Sequence, residues 1–97
     1  MLTQDEIREA VRTIASKYKI ENVYLFGSYA RGDATEDSDC DLRIVGGDIR
    51  SLFQLSGLYL DFKEALGKTV DLVITKNMTE SFYDLIKDEE ILIYAQI

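Results

Sequence analysis

Proline is absent from the 97 residues, cysteine occurs once, and no stretch approaches the ~20 apolar residues that a membrane-spanning helix needs. Without proline the chain carries no mark of a stiff linker, and its length suits one domain, residues 1–97. The lone Cys40 has no partner for an internal disulfide, which points to a reducing, cytoplasmic setting. The polar start shows no signal-peptide pattern. Bases are scarce as well: 11 Lys and Arg stand against 18 acids, a formal charge of −7. That balance argues against direct binding of nucleic acid by its phosphates. It leaves room for a metal site or a basic protein partner. An apolar share of 46% suits a folded globule, which at this size buries roughly 60–65% of its unfolded surface.

Thr3 and Glu6 have capping-box spacing, and Ile7, Ala10, Val11, Ile14 and Tyr18 recur at helical steps. The pattern predicts an amphipathic helix from Thr3 to about Tyr18. Asn22 to Phe26, β-branched and aromatic, reads as a strand that stops at Gly27-Ser28, where a single helical turn can begin. Cys40 to Val45 reads as a second strand, closed by Gly46-Gly47. Asp48 or Ser51 can cap a second long helix through Leu52, Leu55, Tyr59, Phe62 and Leu66, with Gly67 at its C-terminal end. Thr69 to Thr75 is a third strand, and Asn77 or Thr79 opens a helix carrying Phe82, Leu85 and Ile86. Ile91 to Tyr94 is either a last strand or a continuation of that helix, since periodicity does not separate the two in so short a run. The order predicts an α/β layer arrangement with helices packed on a small sheet.

The polar stretch before the second strand ends in "DSDCD". Asp39 and Asp41, two apart on a strand, aim at one face roughly 7 Å apart along the chain. Cys40, Leu42 and Ile44 take the other parity and supply a core face, with Cys40 as a small apolar filler. Asp71 interrupts the apolar "VDLVI", where an acid loses β propensity and hydration unless it has a partner. If the second and third strands are neighbours, Asp71 completes a triangle with the pair. Converging carboxylates repel one another and call for a cation. Mg²⁺ takes oxygen ligands and is usually held by one or two carboxylates plus substrate phosphates. The plain reading of each acid alone is a solvated charge at a strand end. An EF-hand does not fit, because counting from Asp37 puts Leu42 where glycine is needed.

Gly27-Ser28 directly follows a strand and precedes a turn. Glycine allows close approach of the backbone to a ligand, and free amides at a helix start attract phosphate. The Ser28 hydroxyl adds a donor. No Gly-Lys-Ser/Thr follows, so this is not a Walker loop. Arg31 can reach a phosphate or a neighbouring aspartate. Arg43 shares the parity of Asp39 and Asp41 and faces either the same cleft or solvent. The tyrosines are most simply core or interface residues.

Taken together, "GS", ten residues, "DCD" and a strand aspartate resemble the nucleotidyltransferase fold family. The segment "LFGSYARGDATEDSDCDLRIV" is similar to the minimal nucleotidyltransferases (MNT proteins) of prokaryotes. The resemblance implies the nucleotidyltransferase fold, α/β (α+β), with a small mixed three- to four-stranded sheet and helices packed on it. It implies that Gly27 and Ser28 hold a nucleoside triphosphate, most simply ATP, with Arg31 beside them. It implies that Asp39 and Asp41 bind metal, two Mg²⁺ ions, and that Asp71 assists the metal or takes the proton from the attacking hydroxyl. The implied reaction moves a nucleoside monophosphate to an acceptor and releases pyrophosphate. Nothing in the 97 residues reads as a further domain to grip an acceptor, so the expected acceptor is a second molecule. Minimal members are often paired with a HEPN ribonuclease toxin, so the resemblance implies that AMP is placed on a tyrosine of such a toxin and that the MNT protein acts as antitoxin. Two other expectations stand beside this one: a non-catalytic antitoxin that neutralises by contact, and transfer to a small molecule or RNA end with another subunit.

Overall fold

The computed structural model describes residues 1–96; Ile97 lies outside the described residues. Helix α1 (Gln4–Lys17) begins at a complete capping box: the Thr3 hydroxyl accepts from the Glu6 amide, and the Glu6 carboxylate accepts from the Thr3 amide. Strand β1 (Asn22–Phe26) follows, then the short α2 (Ser28–Arg31), β2 (Cys40–Val45), α3 (Leu52–Leu66), β3 (Val70–Ile74), α4 (Glu80–Ile86) and β4 (Ile91–Ala95). Of the two candidate caps for α3, Ser51 does the work, its hydroxyl accepting from the Gln54 amide, and Gly67 closes the helix in the left-handed conformation. For α4 the cap is Thr79; Asn77 instead ends a 3₁₀ turn, Thr75–Asn77. The ambiguous tail is a strand.

The four strands lie in the order β3-β2-β1-β4. β1 pairs antiparallel with β2 and with β4, whereas β2 and β3 run parallel, joined by α3 as the crossover. The sheet is therefore mixed and four-stranded. One face is the core. Val23, Leu25, Cys40, Leu42, Ile44 and Val70 lie buried there with Ile7, Val11 and Ala15 of α1 and Leu58, Phe62 and Leu66 of α3. Burying one such aliphatic or aromatic side chain contributes about 1.5–3 kcal/mol, so this face carries the fold.

The stripe expected on α3 is only half right. Phe62 and Leu66 are buried, but Leu52 is 82% exposed and Leu58, outside the expected stripe, is fully buried. Apolar residues surround this helix, so periodicity selects no single face, and its first turn lies beyond the core. Leu85 of α4 is likewise exposed, while Ile86 is buried.

The other face of the sheet carries Tyr24, Phe26, Asp41 and Arg43, with Asp41 directly opposite Phe26 and Arg43 opposite Tyr24. Helix α4 covers part of it, Phe82 meeting Phe26 edge-on at 5.9 Å between ring centroids. The acids stand at the uncovered end of this second face.

Candidate active site

Parallel pairing of β2 and β3 places Asp41 directly beside Asp71. Both carboxylates therefore project from the same face of adjacent strands. Partial burial, the charge and hydrogen bonding of Asp71, and the charge of Asp39 push the Asp41 carboxyl up to about 6, with Arg31 pulling the other way. Asp71 is exposed, so the pair opens to solvent on one side. A groove of about 300 Å³ runs between α3 and the β3 edge, lined by Leu55, Ser56, Tyr59, Val70, Asp71 and Leu72.

Asp39 stands differently from the expectation of two acids on one strand. The ladder begins at Cys40, whose amide donates to the Thr69 carbonyl at 3.1 Å, and Asp39 precedes it in the exposed approach. Its field reaches Asp41, yet among the described residues no three acidic, histidine or cysteine side chains gather closely enough to hold one ion by themselves. The preceding loop is tethered by Lys68, whose Nζ donates to the Ser38 carbonyl at 2.6 Å and to the Tyr29 hydroxyl at 2.7 Å.

Gly27 closes the corner. Its φ is +76°, and a β-carbon there would stand 2.0 Å from Asp41 Oδ2. Only glycine lets the turn pass so close to the acid. Ser28 opens α2 immediately after it, and the Ala30 and Arg31 amides donate back to the Gly27 carbonyl. Arg31 reaches a neighbouring aspartate, as one of its two readings had it: Nε lies 3.3 Å from Asp33 Oδ2. Its Nη1 lies 3.3 Å from Glu89 Oε1, and the other oxygen of Glu89 accepts from the Gly27 amide.

Arg43 corrects both alternatives offered for it. It shares the face of Asp41 but is 6% exposed, neither in the open cleft nor in solvent. Nε and Nη2 grip the two oxygens of Glu90, Nη1 donates to the Thr75 hydroxyl at 3.1 Å, and the guanidinium packs over the Tyr24 and Tyr83 rings. The sequence reading missed Glu89 and Glu90. Their only signal was the acid run at residues 88–90, which reads equally well as a solvated turn.

A pair of adjacent carboxylates, short of neutralising charge and offering only oxygen, fits a hard divalent cation that takes its remaining ligands from water and phosphate. The third acid at longer range fits the same description. Cys40, by contrast, faces the core, and burial first, then the charge of Asp41, pushes its thiol up to about 12. It takes no part.

Comparison with known proteins agrees with this arrangement. The family described as "Polymerase beta, Nucleotidyltransferase" matches residues 9–96. A Methanocaldococcus jannaschii protein, provisionally named a protein adenylyltransferase, is 40% identical over 98 residues, covering 97% of this chain and 99% of its own. The protein adenylyltransferase MntA of Thermococcus cleftensis is 33% identical over 82 residues, covering 80% of this chain and 83% of its own. Among solved structures, a tri-AMPylated Shewanella oneidensis HEPN toxin in complex with an MNT antitoxin superposes with a TM-score of 0.74 at 19% identity, covering 97% of this chain and 74% of that one.

Proposed function

The chain belongs to the polymerase beta nucleotidyltransferase family, and from that premise we propose that it is a Mg²⁺-dependent enzyme transferring AMP from ATP to a tyrosine of a HEPN-type toxin, acting as its antitoxin. The 97 residues constitute one minimal nucleotidyltransferase domain working in the cytoplasm. The observation that carries the reading is the Asp41–Asp71 pair on one sheet face with the Gly27 turn pressed against Asp41. The adenylyltransferase names of the relatives and the AMP-bearing toxin of the Shewanella complex support the choice of nucleotide and acceptor.

In this reading the Gly27 turn, the Ser28 hydroxyl and Arg31 bind the triphosphate, holding its α-phosphorus near Asp41. Asp71, on the open side, takes the proton of the tyrosine hydroxyl as that oxygen attacks the α-phosphorus. A new P–O bond forms, the α–β phosphoanhydride breaks, and pyrophosphate leaves. Asp39, Asp41 and Asp71 would hold Mg²⁺, which supplies charge neutralisation for the phosphates and the leaving group.

The test uses ATP labelled at the α-phosphate, Mg²⁺ and the product of an adjacent gene. Label on a toxin tyrosine, abolished by Asp39→Ala with Asp41→Ala, is the expected result. An intact complex without label would show neutralisation by contact alone. Label on a small molecule or an RNA end would move the acceptor to a different class.

A further inference from the structure

The turn between α4 and β4 ends in Glu89 and Glu90, and different partners take their carboxylates. Glu90 is buried, clamped by Arg43 with Nη2 to Oε1 at 2.9 Å. With that residue fixed beneath it, Glu89 is delivered to the Gly27 corner with its side chain only 22% exposed. One oxygen accepts from the Gly27 amide and the other lies 3.3 Å from Arg31 Nη1. These are two of the donors assigned above to the triphosphate. A carboxylate on a backbone amide and a guanidinium makes the same charge-assisted contacts that a phosphate oxygen makes. It also adds negative charge to a corner where Asp41 already stands against Gly27, which disfavours an anionic nucleotide.

We infer that Glu89 is a built-in competitor of the triphosphate, occupying the Gly27 amide and Arg31 until nucleotide displaces it. The inference rests on the phosphate-binding role proposed for Gly27, Ser28 and Arg31, and adds a gate to it. Nucleotide gains those donors only in molecules whose Glu89 has swung away, so its apparent affinity is lowered by the fraction of molecules in that state. Glu89 touches no reacting atom; it acts through the two donors it holds.

Calorimetric titration of the wild-type chain, Glu89→Gln and Glu89→Ala with MgATP, and separately with magnesium tripolyphosphate, tests this. Glu89→Gln keeps an oxygen for the Gly27 amide but loses the charge, and Glu89→Ala removes the competitor altogether. Both variants should bind both probes about tenfold more tightly, the equivalent of 1.4 kcal/mol. A gain shared by tripolyphosphate, which has no base or sugar, assigns the effect to the phosphate donors. A merely structural Glu89 would lower the melting temperature and leave both affinities unmoved. Unchanged or weaker binding by the two folded variants, with the wild type still binding MgATP, overturns the gate alone. Absence of binding in all three overturns the nucleotidyl-transfer reading with it.

Discussion

Gly27 and Asp41 are in van der Waals contact across the start of α2, so close that a methyl group on Gly27 would overlap the Asp41 carboxylate. Gly27→Ala must therefore move either the turn or the acid, and must also hold alanine at a φ of +76°. With ψ at −157° that backbone region is essentially confined to glycine and costs another residue about 1–3 kcal/mol, and a 1 Å misplacement of a reacting group costs about 100-fold in rate. Thermal unfolding and label transfer should show both losses. Gly32→Ala is the control: its φ is +86°, but nothing lies within 4 Å, so stability falls while transfer is largely kept.

Asp41 makes metal-free stability depend on pH. Its carboxyl titrates at about 6 in the folded chain, above the ordinary 3.8, so the native state holds a proton that the unfolded state has lost. Stability therefore falls as pH rises from about 4 to about 6 and is flat above that. Because Asp41 is partly solvated, the fall is on the order of 1 kcal/mol rather than the full value of the shift. Denaturant titrations in a chelator should show it, and Asp41→Asn should flatten the profile while abolishing transfer. A wild-type curve rising through this window would contradict the crowding of the acids.

Arg43 and Glu90 form a buried pair whose worth lies in being complete. Glu90→Ala leaves the guanidinium uncompensated beneath α4 and should cost about 3 kcal/mol. Arg43→Leu with Glu90→Leu should recover most of that loss. A double-mutant cycle by urea unfolding measures the coupling.

Lys68 ties the acidic approach to α2 through the Ser38 carbonyl and the Tyr29 hydroxyl. Lys68→Met should remove about 1.5–3 kcal/mol of charge-assisted hydrogen bonding. Transfer should drop as well, because Asp39 lies one residue beyond the tether. A stability loss without a rate loss would separate Asp39 from the chemistry.

Cys40 should be silent to alkylating reagents in the folded chain, since the reactive thiolate is suppressed by burial and by Asp41. Thiol labelling should track global unfolding across a urea series.

Much of this molecule was legible one residue at a time. Capping boxes, glycine stops and apolar periods depend on neighbours within a few positions, and they located α1, the first three strands and the Gly27 turn. The parity of Asp41 against Leu42 and Ile44 followed from the pleat alone. The face of α3 did not follow, because a helix apolar on all sides takes its buried side from whatever packs against it. Nor did the tail: Ile91–Ala95 is a strand because the free edge of β1 accepts it.

Residue types, local elements and the glycine that can approach an acid are determined by the sequence itself, through steric and hydrogen-bonding rules acting over short spans. Which acids meet is decided only by tertiary structure. Asp41 and Asp71 become neighbours through the register of two parallel strands, and Arg43 and Glu90 meet across 47 positions, as do Gly27 and Glu89 across 62. Such pairings answer to the packing of the whole sheet, to which no short window of sequence has access.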